Sequence, residues 1–382
     1  MNILMITVEY PPDTWGGIAT ATELMSQGFK QLGHSVTVLT SSNQSRYFLG
    51  KHGERIQTLS CGNFGDEHPI YHAYDRVEAS RALSTHMFEL IKDRLKSFDF
   101  IICHSVELHS FCQRVRGLYN RKIAYFCHGL HVQEHFLESE LIEEQRLAVA
   151  SCDFGLVATL AMKNQCVNLF RSTNFIHLPL PLNLLLSNRP KKMRQRSPKL
   201  ELLAAGRAVW QKGFAELIEG LASADARDVQ LNIIIGHGNA AYIERCKALS
   251  AHHPSLEVHF HSWMNRSMVL DQMRAAHAVV VPSHFEPLGL VAVEAISQRT
   301  AVWAANVGGL PEVLGPAHSI PFLEWTEGRL DDGSIRKGLV VLKSNEIVTN
   351  SVSETIEHIN AHYSLYHFAR ESEACLCCIK ES

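Results

Sequence analysis

Two glutamates, Glu286 and Glu294, stand eight positions apart across a Pro287-Leu288-Gly289 turn. The run before them, His277-Ala-Val-Val-Val-Pro282, is apolar and predicts a buried parallel strand. Leu290 to Ser297 reads as the opening of a helix. Glu286 then falls on the loop leaving a strand, and Glu294 about two turns into the helix that follows. Open α/β sheets take ligands at the carboxyl ends of their strands. The backbone amides of Leu290 and Val291, just past Gly289, can cradle a phosphate at the start of that helix. A phosphate cradle flanked by two carboxylates suits a ligand with phosphates in its middle and hydroxyls at both ends. A nucleotide sugar has that shape.

Arg207 and Lys212 form a second candidate cluster. They lie five positions apart on the predicted loop after a strand, ahead of a helix opened by Gly213-Phe214. Preorganised cations aimed at a developing negative charge are worth several kcal/mol in typical sites. An arginine grips two phosphate oxygens at once, and a lysine supplies a point charge. By itself such a pair is usually a solvated face.

The elements that must position these groups alternate regularly. Ile3–Val8, Val36–Thr40, Phe100–His104 and Ile123–Cys127 read as strands, with helices over Glu23–Leu32 and Arg76–Lys96. In the second half, Leu202–Ala205, Leu231–Ile235, Val258–His261, Ala278–Val281 and Ala301–Ala305 are strand candidates. Helices over Phe214–Ala222, Ala240–Ala251 and Met268–Ala276 separate them. This rhythm predicts parallel, doubly wound sheets. A length of 382 residues with 46% apolar content suits two domains with real cores. The stretch Ser187 to Lys199 is basic and carries two prolines, which marks an exposed linker. Leu323 to Gly333 reads as a surface hairpin or loop, and Thr355 to Glu371 as helical.

A net charge of −3 argues against a nucleic-acid partner. No apolar run reaches the length of a membrane span. The start of the chain has no basic flank and runs into Pro11-Pro12, so it reads as a strand and not a signal peptide. Ten scattered cysteines suit free thiols in a reducing, cytoplasmic setting. Cys375, Cys377 and Cys378 are the one cluster, without a second pair to complete a zinc site. His128, His131 and His135 lack a metal-site spacing such as His-Glu-x-x-His, and no metal is expected.

The Glu286-x7-Glu294 spacing resembles the corresponding motif of retaining GT-B glycosyltransferases, in particular family 4 (glycosyl transferases group 1). The likeness extends along the chain. Met1 to Pro12 with Gly16-Gly17-Ile18 resembles that family's first strand and glycine loop, and Leu32 to Thr40 its second strand. Ala205 to Phe214 resembles its diphosphate-binding segment. Ile234 to Gly238 and Val307-Gly308-Gly309-Leu-Pro-Glu312 fit later blocks.

The resemblance implies a GT-B fold: two doubly wound, Rossmann-like parallel-sheet domains facing across a cleft. The expected division is 1–184 on the acceptor side, a linker 185–199, 200–355 for the nucleotide sugar, and 356–382 as a helix returning to the first domain. It implies hexose transfer from a nucleotide-diphosphate sugar to a glycan or lipid-linked hydroxyl, in cell-surface glycan or glycolipid synthesis. Arg207 and Lys212 would neutralise the diphosphate in place of a metal. Glu294 would accept from the ribose hydroxyls and Glu286 from the donor hexose. His128 would lie beside the donor sugar, and Gly16, Gly17, Gly289, Leu290 and Val291 would border the phosphates. Glu9 and Gly308-Gly309 are weaker candidates. The basic linker, with Arg114, Arg116, Arg121 and Lys122, suggests peripheral contact with an anionic membrane.

Three segments depart from the family pattern. Leu178-Pro-Leu-Pro-Leu-Asn183 replaces Pro-Asn-Gly-Val-Asp, His261-Ser262-Trp263 stands where a glycine is usual, and Arg299-Thr300-Ala301 replaces Gly-Thr-Pro. The rival readings are a nucleotide-sugar epimerase of the same fold and a non-catalytic carbohydrate-binding relative. Retention of Arg207, Lys212, Glu286 and Glu294 counts against both.

Overall fold

The computed structural model describes residues 1–14, 16–60, 76–119, 121–130, 139–186, 199–262 and 264–381. The chain divides into two units, Met1–Pro181 with Tyr363–Ser382, and Leu182–His362.

The first unit is built on strands β1 (Asn2–Ile6), β2 (Ser35–Ser42), β3 (Arg46–Leu49), β4 (Arg55–Ser60), β5 (Phe100–Cys103), β6 (Ile123–Phe126), β7 (Phe154–Val157) and β8 (Phe175–His177). They form one eight-stranded sheet in the order β3-β4-β2-β1-β5-β6-β7-β8. All pairs are parallel except the β3–β4 hairpin at one edge. Ile3, Leu4, Met5 and Ile6 of β1 have no exposed surface, as a parallel strand covered on both faces requires. The chain winds outward from β1 in both directions, so the strand order reverses beside it. Sequence periodicity missed β3, β4, β7 and β8; of these, β3 lies on the sheet edge with Tyr47 and Leu49 55% and 68% exposed. An edge strand has only one covered face and no buried run to betray it.

The second unit holds β9 (Leu200–Ala208), β10 (Val229–Gly238), β11 (Glu257–His261), β12 (Ala278–Val281) and β13 (Ala301–Ala304). Their order is β11-β10-β9-β12-β13, and every pairing is parallel. The reversal falls between β9 and β12. The hairpin expected within Leu323–Gly333 is the antiparallel pair β14 (Trp325–Thr326) and β15 (Arg329–Leu330). Its two turn residues, Glu327 and Gly328, have φ of 50° and 79°, the left-handed geometry that two-residue hairpins prefer. Asp331 then caps the helix Asp332–Leu342 by accepting from the Ser334 amide at 2.7 Å.

The helical end is two helices, Asn345–His362 and Leu365–Glu381, broken at Tyr363-Ser364. The Ser364 hydroxyl accepts from the His367 amide at 3.4 Å and starts the second helix. The break coincides with the passage from the second unit to the first. Phe368 of the last helix is fully buried against Phe29, with ring centroids 5.0 Å apart and nearly perpendicular. Gly28 makes room for it: a Cβ there would lie 2.7 Å from the Phe368 ring. Most of the expected linker lies outside the described residues.

Candidate active site

Parallel strands of one sheet end on the same side, so the loops after β9 and β12 meet at the reversal point of the second sheet. Arg207 is the penultimate residue of β9, within the strand and not on the loop after it. Its side chain is exposed and makes no hydrogen bond or ion pair with a described residue. Lys212 closes the 3-10 turn Trp210–Lys212 that follows. Its Nζ lies 2.5 Å from Glu286 Oε1, so it is an ion-paired cation. The Ser283 hydroxyl donates to the same oxygen at 2.9 Å. An ammonium carries three N–H donors, so the pair leaves Lys212 with more to give.

The loop from Pro282 to Gly289 carries Glu286 and is tied to three neighbouring segments. The His284 amide donates to Gln211 O at 2.8 Å, and the Gly309 amide to Glu286 O at 2.8 Å. The Trp325 indole donates to Ser283 O at 3.2 Å. His284 stacks on Trp325 with centroids 3.8 Å apart. Two glycines with positive φ press against this backbone. A Cβ at Gly213 would meet Pro282 O at 2.1 Å, and one at Gly308 would meet Glu286 O at 2.0 Å. The Gly308-Gly309 pair thus braces the glutamate loop, a role the sequence reading did not assign.

Gly289, at φ 87°, ends the loop and begins the helix Leu290–Ser297 without a side-chain cap. The first N–H groups of any helix, here those of Leu290 and Val291, have no partners within the helix. Glu294 is the fifth residue of this helix, about one turn in and not two. Arg266 binds its Oε1 through Nε at 3.0 Å and Nη2 at 2.9 Å. Burial pushes the Glu294 carboxyl above its ordinary value, and Arg266 pulls it partly back. Sequence reasoning missed Arg266, because nothing in a one-dimensional pattern joins positions 28 apart.

The first sheet brings its own candidates to the carboxyl ends of β1, β5 and β6. Glu9 is buried, and its Oε2 accepts from the Gly16 amide at 2.9 Å. Gly16 has extended backbone and precedes the helix Gly17–Gln31, with Gly17 as its first residue. A Cβ at Gly16 would touch Glu9 Oε1 at an ordinary 3.5 Å, so sterics alone do not require glycine there. His128 follows β6 and lies against His104, which follows β5. The His104 Nδ1 to His128 Nε2 distance is 3.0 Å. His104 was absent from the sequence candidates. Burial lowers both imidazoles, His128 to about 3, and His104 is lowered further by its neighbour. His131 and His135 lie outside the described residues.

Among the described residues no group of three or more His, Cys, Asp or Glu is placed to hold a metal ion. The seven cysteines with described side chains are buried, and none forms a disulfide with another described residue; Cys61 and the side chains of Cys377 and Cys378 are not described. No helix among the described residues is long and apolar enough to cross a membrane.

Residues 187–322 match the family model "Glycosyl transferases group 1". That segment is similar to the group 1 glycosyltransferases. The similarity extends beyond that segment. An uncharacterized glycosyltransferase of Methanocaldococcus jannaschii is 26% identical over 340 residues, covering 82% of this chain and 83% of the relative. A glycogen synthase of Mycobacterium tuberculosis is 24% identical over 341 residues, covering 82% and 80%. Among solved structures, sucrose-phosphate synthase from Thermosynechococcus elongatus matches with a TM-score of 0.74 at 18% identity, over 100% of this chain and 99% of that one. An Anabaena protein in complex with UDP and glucose matches at 0.70 and 14%, over 98% and 99%. The chain therefore has the GT-B fold.

The paired histidines give the first unit an acid sensitivity. Unfolded histidines take up protons near pH 6.5, while the folded pair stays neutral well below that. Stability should be complete above about pH 6.5 and fall as the pH drops toward the folded value. Chemical denaturation between pH 7 and pH 5 should show this loss, with a shallower slope in His104→Phe. An unchanged slope would mean that other groups govern the response.

Proposed function

We propose that this chain is a glycosyltransferase that moves a hexose from a nucleoside-diphosphate sugar to a hydroxyl acceptor, with retention at the anomeric carbon. The observation that carries the reading is the gathering of Arg207, Lys212, Glu286 and Glu294 around the reversal point of one sheet. In this reading the two cations would neutralise the diphosphate, and the two carboxylates would accept from hydroxyls at its two ends. The structural likeness to a protein solved with UDP and glucose supports a nucleotide-sugar donor.

In this reading Arg207 and Lys212 stabilise the charge that develops on the departing diphosphate. The bond from C1 to the phosphate oxygen breaks as the acceptor oxygen bonds C1 from the same face. The acceptor proton passes to the departing oxygen, so no carboxylate is needed as nucleophile. Glu286, steadied by Lys212 and Ser283, accepts from the hexose hydroxyls. Glu294 accepts from the ribose. The amides of Leu290 and Val291, after Gly289, face the phosphates. His128 and the Gly16-Gly17 loop are assigned donor contacts on the family resemblance alone. A cell-surface glycan or glycolipid is the proposed product.

Arg207→Ala or Lys212→Ala should lower turnover by about 100-fold or more, as loss of a preorganised charge-stabilising group does elsewhere. Glu294→Ala should weaken binding of the free nucleoside diphosphate by about 1–3 kcal/mol. Glu286→Ala should leave that affinity nearly intact and impair transfer. Thermal shifts against a panel of nucleotide sugars identify the donor first, and then donor hydrolysis with and without acceptor separates transferase from epimerase or binding protein. Near-normal turnover in both cation variants would remove the assignment.

With two cations at the diphosphate, transfer should survive excess chelator. Loss of activity that manganese or magnesium restores would instead require a metal.

Peripheral membrane contact is proposed for the first unit. Arg114 and Arg116 share the helix His109–Tyr119 with Leu118, which is 68% exposed. Each basic residue near an anionic leaflet contributes about 1 kcal/mol. Co-sedimentation should be stronger with anionic than with neutral vesicles and be reversed by salt. Equal recovery on both would refute the contact.

A further inference from the structure

Arg266 is the first residue of the helix Arg266–Ala275. The preceding Asn265 caps that helix by accepting from the Met268 amide at 3.0 Å. The Arg266 side chain is 45% exposed and reaches the Glu294 carboxylate, which is 16% exposed. Both of its N–H contacts fall on one oxygen, Oε1. Oε2 accepts no hydrogen bond from a described residue. Two contacts from a planar guanidinium fix the carboxylate's rotation in a way that a lysine cannot.

The electrostatics point the same way. An ionised carboxylate is the stronger acceptor for hydroxyls, and burial works against the charge on Glu294. The other titratable groups with described side chains on helices packed against its own are Asp271 and Arg274, Glu312, and Glu354, Glu357, His358 and His362. Arg274 is engaged by Asp271 and Gln298, and His358 by the Glu312 carbonyl. Arg266 alone among them acts on the Glu294 carboxyl.

We infer that Arg266 is a positioning residue for nucleotide binding: it holds Oε1 of Glu294 through two N–H groups and leaves Oε2 to accept from the ribose hydroxyls of a nucleoside diphosphate. The inference rests on the reading of Glu294 as the ribose acceptor. It adds that the discrimination between ribose and deoxyribose depends on a residue that itself touches no part of the nucleotide. Preorganisation of this kind improves affinity by lowering the ordering cost of binding.

The test uses the full chain, with calorimetry of UDP, ADP and GDP and their 2′-deoxy forms at pH 8 and pH 6. In parallel, carbon NMR follows the Glu294 carboxyl, whose resonance is identified by its absence in Glu294→Gln. Arg266→Ala should lose about tenfold in affinity at pH 8, the scale of a hydrogen bond to a charged group, and more at pH 6. Its ribose-to-deoxyribose ratio should shrink, and the Glu294 carboxyl should titrate at higher pH. Arg266→Lys should restore the titration but not the ratio, because it returns the charge without the fork. A merely structural arginine would move neither. An unchanged affinity, ratio and titration in Arg266→Ala would overturn the inference. If none of the three nucleotides binds the unaltered chain, the donor reading fails and the ribose role falls with it. The carboxyl titration would still show separately whether Arg266 holds Glu294 charged.

Discussion

The second unit depends on one constraint, the fastening of the Pro282–Gly289 loop. A loop after a parallel strand has no ladder to hold it, so its geometry has to be set by what surrounds it. Here the chain after β9 supplies the Gln211 carbonyl and the Lys212 ammonium, the Gly308-Gly309 turn supplies an amide, and the small β14–β15 hairpin supplies the Trp325 indole. Gly213 and Gly308 allow these backbones to approach more closely than any side chain would permit. Without this fastening Glu286 would be a glutamate on a surface loop. With it, the carboxylate is held in register with Lys212 and with the start of the next helix.

The charges of the second unit follow a consistent arrangement. Each carboxylate of the motif is already matched to a cation, Glu286 to Lys212 and Glu294 to Arg266. Pairing offsets the cost of holding a carboxylate partly out of water. It also leaves the site with one cation, Arg207, that has no ion-pair partner among the described residues. A polyanion entering such a site meets a net positive charge without having to displace a buried ion pair.

The first unit shows the same topological logic with different chemistry. Its candidates also sit on loops at the carboxyl ends of strands beside a reversal point. There the histidine pair carries no charge at neutral pH. His104 and His128 are held neutral against each other and against Phe126. Glu9 turns its carboxylate inward to the Gly16 amide and so shapes the loop ahead of the first long helix.

The sequence by itself determined the strand and helix rhythm, since the parallel strands are buried on both faces and leave continuous apolar runs such as Ile3–Ile6 and Ala278–Val281. It determined the loop position of Glu286 and the helical position of Glu294 for the same reason. The partners of these residues were not legible. Lys212 and Glu286 lie 74 positions apart, and Arg266 and Glu294 lie 28 apart. The match depends on which strands became neighbours, and the order β11-β10-β9-β12-β13 is written in no local pattern. The bracing role of Gly308 and the pairing of His104 with His128 were hidden likewise. Local sequence specifies backbone propensity and burial, whereas the meeting of two loops depends on how a whole sheet is wound, and only the tertiary structure decides that.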